Sequence, residues 1–258
     1  MSTALVTGAT AGIGHAFCRE LADRGHDLVI VARNRARLEN VSDELRARYS
    51  INVEILAADL SKRAQLQRVA KRLADRDRPI DLLVNNAGFG MSKSFLKGDV
   101  ADEEAMLDVL CRAVLVLSHA SALAMKERGR GAIINVSSVA GFFPIGTYAA
   151  AKAWVTAFTE TLAHELAGSG VTTTALCPGF TRTEMHERAN LDMSRLPNAM
   201  WLEADRLVRD CLDDVKAGKV ISIPGVQYKV FAGIAQLAPR TLVRAFSNRA
   251  ASVRHRKE

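Results

Sequence analysis

Tyr148 and Lys152 stand four residues apart in the stretch TYAAAKAW. On a helix that spacing puts both side chains on one face, a turn apart. An ammonium beside a phenol favours the phenolate and pulls its pKa below the ordinary value of about 10. The pair therefore has the makings of a general acid and base. Tyr-x-x-x-Lys arises by chance in many helices, so its weight comes from its company. A glycine-rich stretch, TGATAGIG at residues 7–14, opens the chain, and the serines Ser137 and Ser138 lie just upstream of the tyrosine.

In TGATAGIG a strand ends at Thr7 and a helix starts near Gly12. Gly8 permits a tight turn, Gly12 lets backbone approach a pyrophosphate, and Gly14 allows close packing of helix on sheet. The helix start offers free N–H groups and the positive end of its dipole to phosphates. Dinucleotide sites that hold a free ribose 2′-hydroxyl carry an acid at the end of the second strand, about 20 positions on. Here the sequence reads VIVARN, with Ala32 at that place and Arg33 after it. An arginine without a carboxylate suits a 2′-phosphate, so NADP(H) is favoured over NAD(H). Arg35 and Arg37 lie nearby, and a solvated helix face explains them equally well.

These residues need a scaffold. Short apolar runs at 4–7, 27–32, 52–57, 82–85, 132–136, 171–176 and 220–223 read as strands. Longer segments at 12–24, 35–49, 61–76, 102–127 and 148–167 read as helices. Apolar runs that do not alternate belong to a sheet covered on both faces. Strands alternating with helices give a parallel, doubly wound α/β sheet of about seven strands. One dinucleotide-binding domain is expected over 1–223, with a C-terminal helical extension at 224–258.

Taken together the chain resembles the short-chain dehydrogenase/reductase family, whose fold is of Rossmann type. The resemblance runs from residue 3 to about 223 and is carried by TGATAGIG, Asp59 in AADL, NNAG (85–88), NVSSVAG, Tyr148-x-x-x-Lys152 and PGFTRT (178–183). It implies transfer of a hydride between a nicotinamide and a carbonyl or secondary alcohol. Tyr148 would move the substrate proton, Lys152 would lower its pKa and hold the nicotinamide ribose, and Ser138 would hold the carbonyl oxygen. The implied cofactor site is Gly8, Thr10, Gly12, Ile13, Gly14, Arg33, Asp59, Asn86, Ala87, Gly88, Tyr148, Lys152, Pro178, Gly179, Thr181 and Thr183. Asn85 borders the ribose or is a turn residue, Thr183 holds the carboxamide or caps a short helix, and Ser137 is a structural neighbour.

Two departures from the family pattern stand out. Val109-Leu110 occupies the place of a Val-Asn pair whose asparagine helps hold a relay water, which keeps a cofactor-binding redox sensor with little catalysis as the alternative. Only nine residues separate Ser138 from Tyr148, a short connection that reshapes one wall of the pocket. The expected wall is Phe89, Met91, Phe142, Phe143, Ile145 and the segment 185–200, mostly apolar, which predicts a hydrophobic ketone or aldehyde. The segment after Thr183 is expected to be a lid. Helices 102–127 and 148–167 are apolar beyond one stripe, and in the family such helices pair, so a homodimer or homotetramer is expected.

Composition narrows the classes further. Hydrophobic residues make up 48% and charged residues 24%, as in ordinary globular chains. The four cysteines form no C-x-x-C pair and the six histidines show no ligand spacing, so no metal is expected. No uninterrupted apolar run reaches the length of a membrane span. The first strand begins within three residues of Met1, so the cytoplasm is the expected address. Of the net charge of +7, residues 240–258 carry +5, from five arginines and one lysine against one glutamate. A charge concentrated in a tail does not indicate nucleic acid for the domain. The helical pattern before Pro239 and the basic end after it allow peripheral contact with a membrane.

Overall fold

Neighbouring residues in each strand serve opposite faces of the sheet, which is why the strands are apolar without a break. In β1 (Thr3–Thr7), Ala4 and Val6 pack into one core layer and Leu5 into the other. The same division separates Leu28 and Ile30 from Val29 and Val31 in β2 (Asp27–Ala32). The computed structural model describes residues 2–91, 93–183, 197–239 and 241–244. It contains β3 (Val53–Ala57), β4 (Leu82–Asn85), β5 (Gly131–Val136), β6 (Val171–Leu176) and β7 (Ile221–Ser222) in one sheet. The order is β3-β2-β1-β4-β5-β6-β7, with every pairing parallel. The doubly wound sheet read from the sequence is present.

Helices α1 (Gly12–Asp23), α2 (Arg35–Tyr49) and α7 (Ala204–Lys216) cover one face, around Phe17, Leu38, Leu45 and Leu207. The other face is covered by α3 (Arg63–Leu73), α5 (Ala113–Arg128) and α6 (Thr147–Glu165), around Leu66, Leu73, Leu117 and Leu162. A final helix, α8 (Val226–Leu237), follows β7. The sequence expects α3 to be longer at both ends, and the last strand is shorter than its pattern suggests.

The helix expected to be unbroken over 102–127 is not regular. α4 (Val100–Leu107) passes into a π-helical turn at Asp108–Arg112 before α5. Such turns insert an extra residue per turn and leave no side-chain signature, which is why periodicity misses them. The run Val100–Arg128, though interrupted by charged residues, is long and apolar enough, by length and composition, to cross a bilayer. Its Met106, Leu110, Leu117 and Met125 are buried in the domain, so its apolar character serves the fold.

A buried polar ladder crosses the second core. Asn85 Nδ2 donates to Ser118 Oγ (3.1 Å) and Asn135 Oδ1 (2.9 Å), and Asn135 Nδ2 donates to Thr159 Oγ1 (3.0 Å). Thr159 in turn donates to the Val155 carbonyl (2.7 Å). All these polar groups are satisfied in a medium where an unpaired one is costly. The ladder fixes β4 and β5 against both α5 and α6, and α6 carries Tyr148 and Lys152.

Candidate active site

Strand order reverses direction between β1 and β4, and in such sheets a crevice opens there at the carboxyl ends of the strands. Thr7 ties the two strand ends together. Its hydroxyl donates to the Val84 carbonyl (3.3 Å) and accepts from the N–H groups of Asn86 (2.9 Å) and Ala87 (3.0 Å). Asn86 answers by donating its side-chain amide to the carbonyls of Thr7 (2.9 Å) and Gly8 (3.3 Å). Gly8 has φ +67°, and a Cβ there would stand 2.8 Å from the Asn86 amide nitrogen. Gly14 lies behind the turn, where a Cβ would meet the Gly8 carbonyl at 2.2 Å. The space that α1 needs against β1 exists only because residue 14 has no side chain.

Above this knot is a cavity of about 790 Å³. Gly8, Thr10, Gly12 and Ile13 line its floor, with Arg33 and Asp59 at one end and Asn86, Ala87 and Gly88 along the middle. Ser138, Tyr148 and Lys152 also line it, as do Pro178, Gly179, Thr181 and Thr183. The turn after β6 reaches the start of α1, since a Cβ on Gly12 would stand 2.9 Å from the Thr183 methyl. Of the residues expected to bind a cofactor, Gly14 alone is outside this lining, because its role is in packing. Asn85 is also outside it, buried in the ladder. Asn34 and Ser61 line the cavity without having been expected there, and Arg37, left open between the phosphate end and a solvated helix face, lines it too. Asn34 caps α2 by accepting from the Arg37 N–H (3.0 Å), and the Arg37 guanidinium donates to the Thr10 carbonyl (3.4 Å).

Partial burial raises the pKa of Asp59, but the hydroxyl and N–H of Ser61, with Arg33 and Lys62 nearby, leave it below the usual value. Lys152 is 5% exposed, and its ammonium donates to the Val136 carbonyl (2.7 Å). Loss of water lowers its pKa to about 8. Ser137 donates to the Lys152 carbonyl (2.7 Å) and bonds Thr156 (2.7 Å), a supporting role beneath the lysine. Ser138 caps a short 3₁₀ turn (Val139–Phe142), accepting from the Ala140 N–H at 3.1 Å.

At Tyr148 burial acts against the lowering expected from Lys152. Burial pushes its phenol up to about 12, while a hydrogen bond with Ser138 acts in the opposite direction. Lys152 Nζ lies 5.7 Å from the ring centroid. Desolvation outweighs the Ser138 hydrogen bond, and burial favours the protonated phenol. Part of that dry surrounding is Leu110, which with Met106 and Ala151 forms a small apolar cluster against Phe89, Met91 and Tyr148. Phe89, Ala105 and Val109 line the cavity beside the catalytic wall, whereas Phe142, Phe143 and Ile145 do not reach it. Residues 184–196, which include most of the expected lid and wall, lie outside the described residues. A smaller cavity of about 340 Å³ lies at the amino ends of the strands, where Arg72 pairs with Glu54 (2.9 Å).

The short chain dehydrogenase family profile matches residues 2–194. This chain belongs to that family. An NADP-dependent 3-hydroxy acid dehydrogenase, YdfG, of Salmonella typhi is 36% identical over 180 residues, 68% of this chain and 71% of its own length. A short-chain dehydrogenase from Sphingobium yanoikuyae, solved in complex with NADPH, is 35% identical with a TM-score of 0.84, covering 92% of this chain and 94% of that one. The bulky-bulky ketone specific alcohol dehydrogenase from Comamonas testosteroni is 29% identical with a TM-score of 0.79, covering 93% and 96%. As a short-chain dehydrogenase the chain is an oxidoreductase acting on CH–OH groups. The glycine cradle, the arginine at position 33 and the volume of the cavity fit the dinucleotide that such an enzyme uses.

Proposed function

We propose that this short-chain dehydrogenase is an NADP(H)-dependent carbonyl reductase and alcohol dehydrogenase acting on a hydrophobic ketone or aldehyde. The observation that carries this reading is that Ser138, Tyr148 and Lys152 share a cavity with the glycine turn. The bound dinucleotide supplies the hydride. Ser138 and Tyr148 hydroxyls converge on the place where the carbonyl oxygen gains charge, and donors aimed there favour the transition state. Tyr148, kept protonated by burial, gives its proton to that oxygen. The Lys152 ammonium stabilises the phenolate that remains, and solvent restores the proton. In the oxidative direction the same groups run in reverse.

Preference for NADP(H) is supported by Ala32 at the end of β2, with Arg33 and Arg37 lining the cavity just beyond it. The NADPH complex of the Sphingobium relative and the NADP dependence of the Salmonella relative agree with it. An apolar substrate is supported by Phe89, Ala105 and Val109 at the catalytic end, and by the bulky ketone specificity of the Comamonas enzyme. Leu107, Leu115 and Leu123 are exposed along α4 and α5, and Trp154 on α6 stacks on Phe158 at 5.0 Å. These faces support a homodimer or homotetramer.

Replacing Tyr148 by Phe removes the proton donor and keeps the ring. NADPH oxidation with a hydrophobic ketone is expected to fall by about 10²–10⁴-fold, with the NADPH dissociation constant nearly unchanged by fluorescence titration. Turnover surviving in that variant would overturn the proposed role. Arg33→Ala is expected to raise the KM for NADPH about tenfold and leave that for NADH alone, and an equal effect on both would contradict the 2′-phosphate assignment. The third expectation concerns pH. The Lys152 charge is present below about 8 and lost above it, whereas Tyr148 stays protonated to about 12. Ketone reduction at saturating NADPH should therefore decline as pH rises through about 8, and a flat profile from 7 to 10 would count against the lysine's part.

A further inference from the structure

Among the described residues, α8 is fastened to the protein by one side only. Its buried residues are Tyr228 and Ala232. The Tyr228 hydroxyl accepts from the Phe180 N–H (3.1 Å) and donates to the Met200 carbonyl. Its ring occupies the space beside Gly179, where a Cβ would come within 2.1 Å. That side of the helix thus supports the turn over the cofactor cavity.

The opposite side is apolar and uncovered. Val226, Val230, Ile234 and Leu237 fall at i, i+4, i+8 and i+11, one stripe along the helix. They are 74%, 53%, 59% and 89% exposed, and Leu242 beyond the helix is 62% exposed. Apolar residues scattered singly over a surface are ordinary, but a continuous stripe at the end of a domain marks a contact.

Charge selects the occupant. From Val226 to Glu258 the sequence has seven basic side chains (Lys229, Arg240, Arg244, Arg249, Arg254, Arg256 and Lys257) against one acid, Glu258. A second copy apposed through the same face across a two-fold axis would bring these like charges together. An anionic bilayer offers the reverse, with negative headgroups over an apolar interior. We propose that the exposed face of α8, in a stretch of chain whose charge is strongly basic, docks on an anionic lipid surface. The stripe enters the acyl boundary, and the exposed Lys229 and Arg244 meet the headgroups. This docking stands independently of the reductase reading. Where both hold, the turn bordering the cavity sits close to a phase that concentrates hydrophobic carbonyls.

The test is cosedimentation of the full chain with phosphatidylcholine vesicles, with and without phosphatidylglycerol. The wild type is expected to sediment with the anionic vesicles alone and to be released several-fold by high salt, which screens the charges. A double variant, Ile234→Glu with Leu237→Glu, is expected to lose about tenfold in partitioning. Its thermal melt, followed by circular dichroism, should be unchanged because both side chains face outward. Failure of the wild type to sediment, or equal sedimentation of the variant, would overturn the proposal. Sedimentation velocity supplies the remaining arm. An assembly that the double variant dissociates, without vesicle binding by the wild type, would assign the stripe to a second copy and sink the membrane assignment.

Discussion

The hydroxyl of Thr7 holds the ends of β1 and β4 in register at the one place where the sheet changes direction. It accepts two N–H groups from Asn86 and Ala87 and gives its proton to Val84, and Asn86 returns two bonds to the Thr7 and Gly8 carbonyls. The turn at Gly8, the close approach of α1 at Gly14 and the floor of the cavity all follow from that knot. Adjacent to it, Asn85 points the other way into the ladder through Asn135 to Thr159. Two neighbouring asparagines thus connect the cofactor side of the site to the helix that bears Tyr148. Loosening either would move the two halves of the site relative to each other.

Within the proposed reaction, the electrostatics divide the work between two groups. Burial acts on both Tyr148 and Lys152, and its sign differs because the charged form is the base in one and the acid in the other. The phenol is driven up and the ammonium down, so at neutral pH the first is an acid and the second still a cation. Leu110 belongs in this account. A leucine in the place of a water-holding asparagine gives up a hydrogen bond, but it dries the pocket behind Tyr148 and adds to the desolvation that keeps the proton on. The redox-sensor alternative rests on the same leucine, and turnover decides between them.

The sheet was legible because double coverage requires strands that are apolar throughout, and runs such as Leu28–Val31 satisfy that within a residue or two of the observed ends. The glycine turn was legible because Gly8 and Gly14 answer steric demands that no other residue meets. The π turn at Asp108–Arg112 was not, since a shift in backbone bonding leaves the residue types unchanged. Periodicity also could not tell that Phe142, Phe143 and Ile145 miss the cavity, because direction after a loop is set by the 3₁₀ turn that Ser138 caps. The opposing effect of burial on Tyr148 is hidden from spacing for a similar reason. Spacing shows that Lys152 is near, but the competing loss of water depends on Leu110, Met106 and Ala151, which come from other elements.

The central claim is that the glycine turn and the Ser138–Tyr148–Lys152 wall form one reducing site. NADPH carrying deuterium at the transferable position of its nicotinamide, incubated with the enzyme and a bulky hydrophobic ketone, tests it most directly. Mass spectrometry of the product alcohol should show one deuterium at the carbinol carbon. An alcohol formed without the label, or no alcohol while NADPH is bound, would contradict the account.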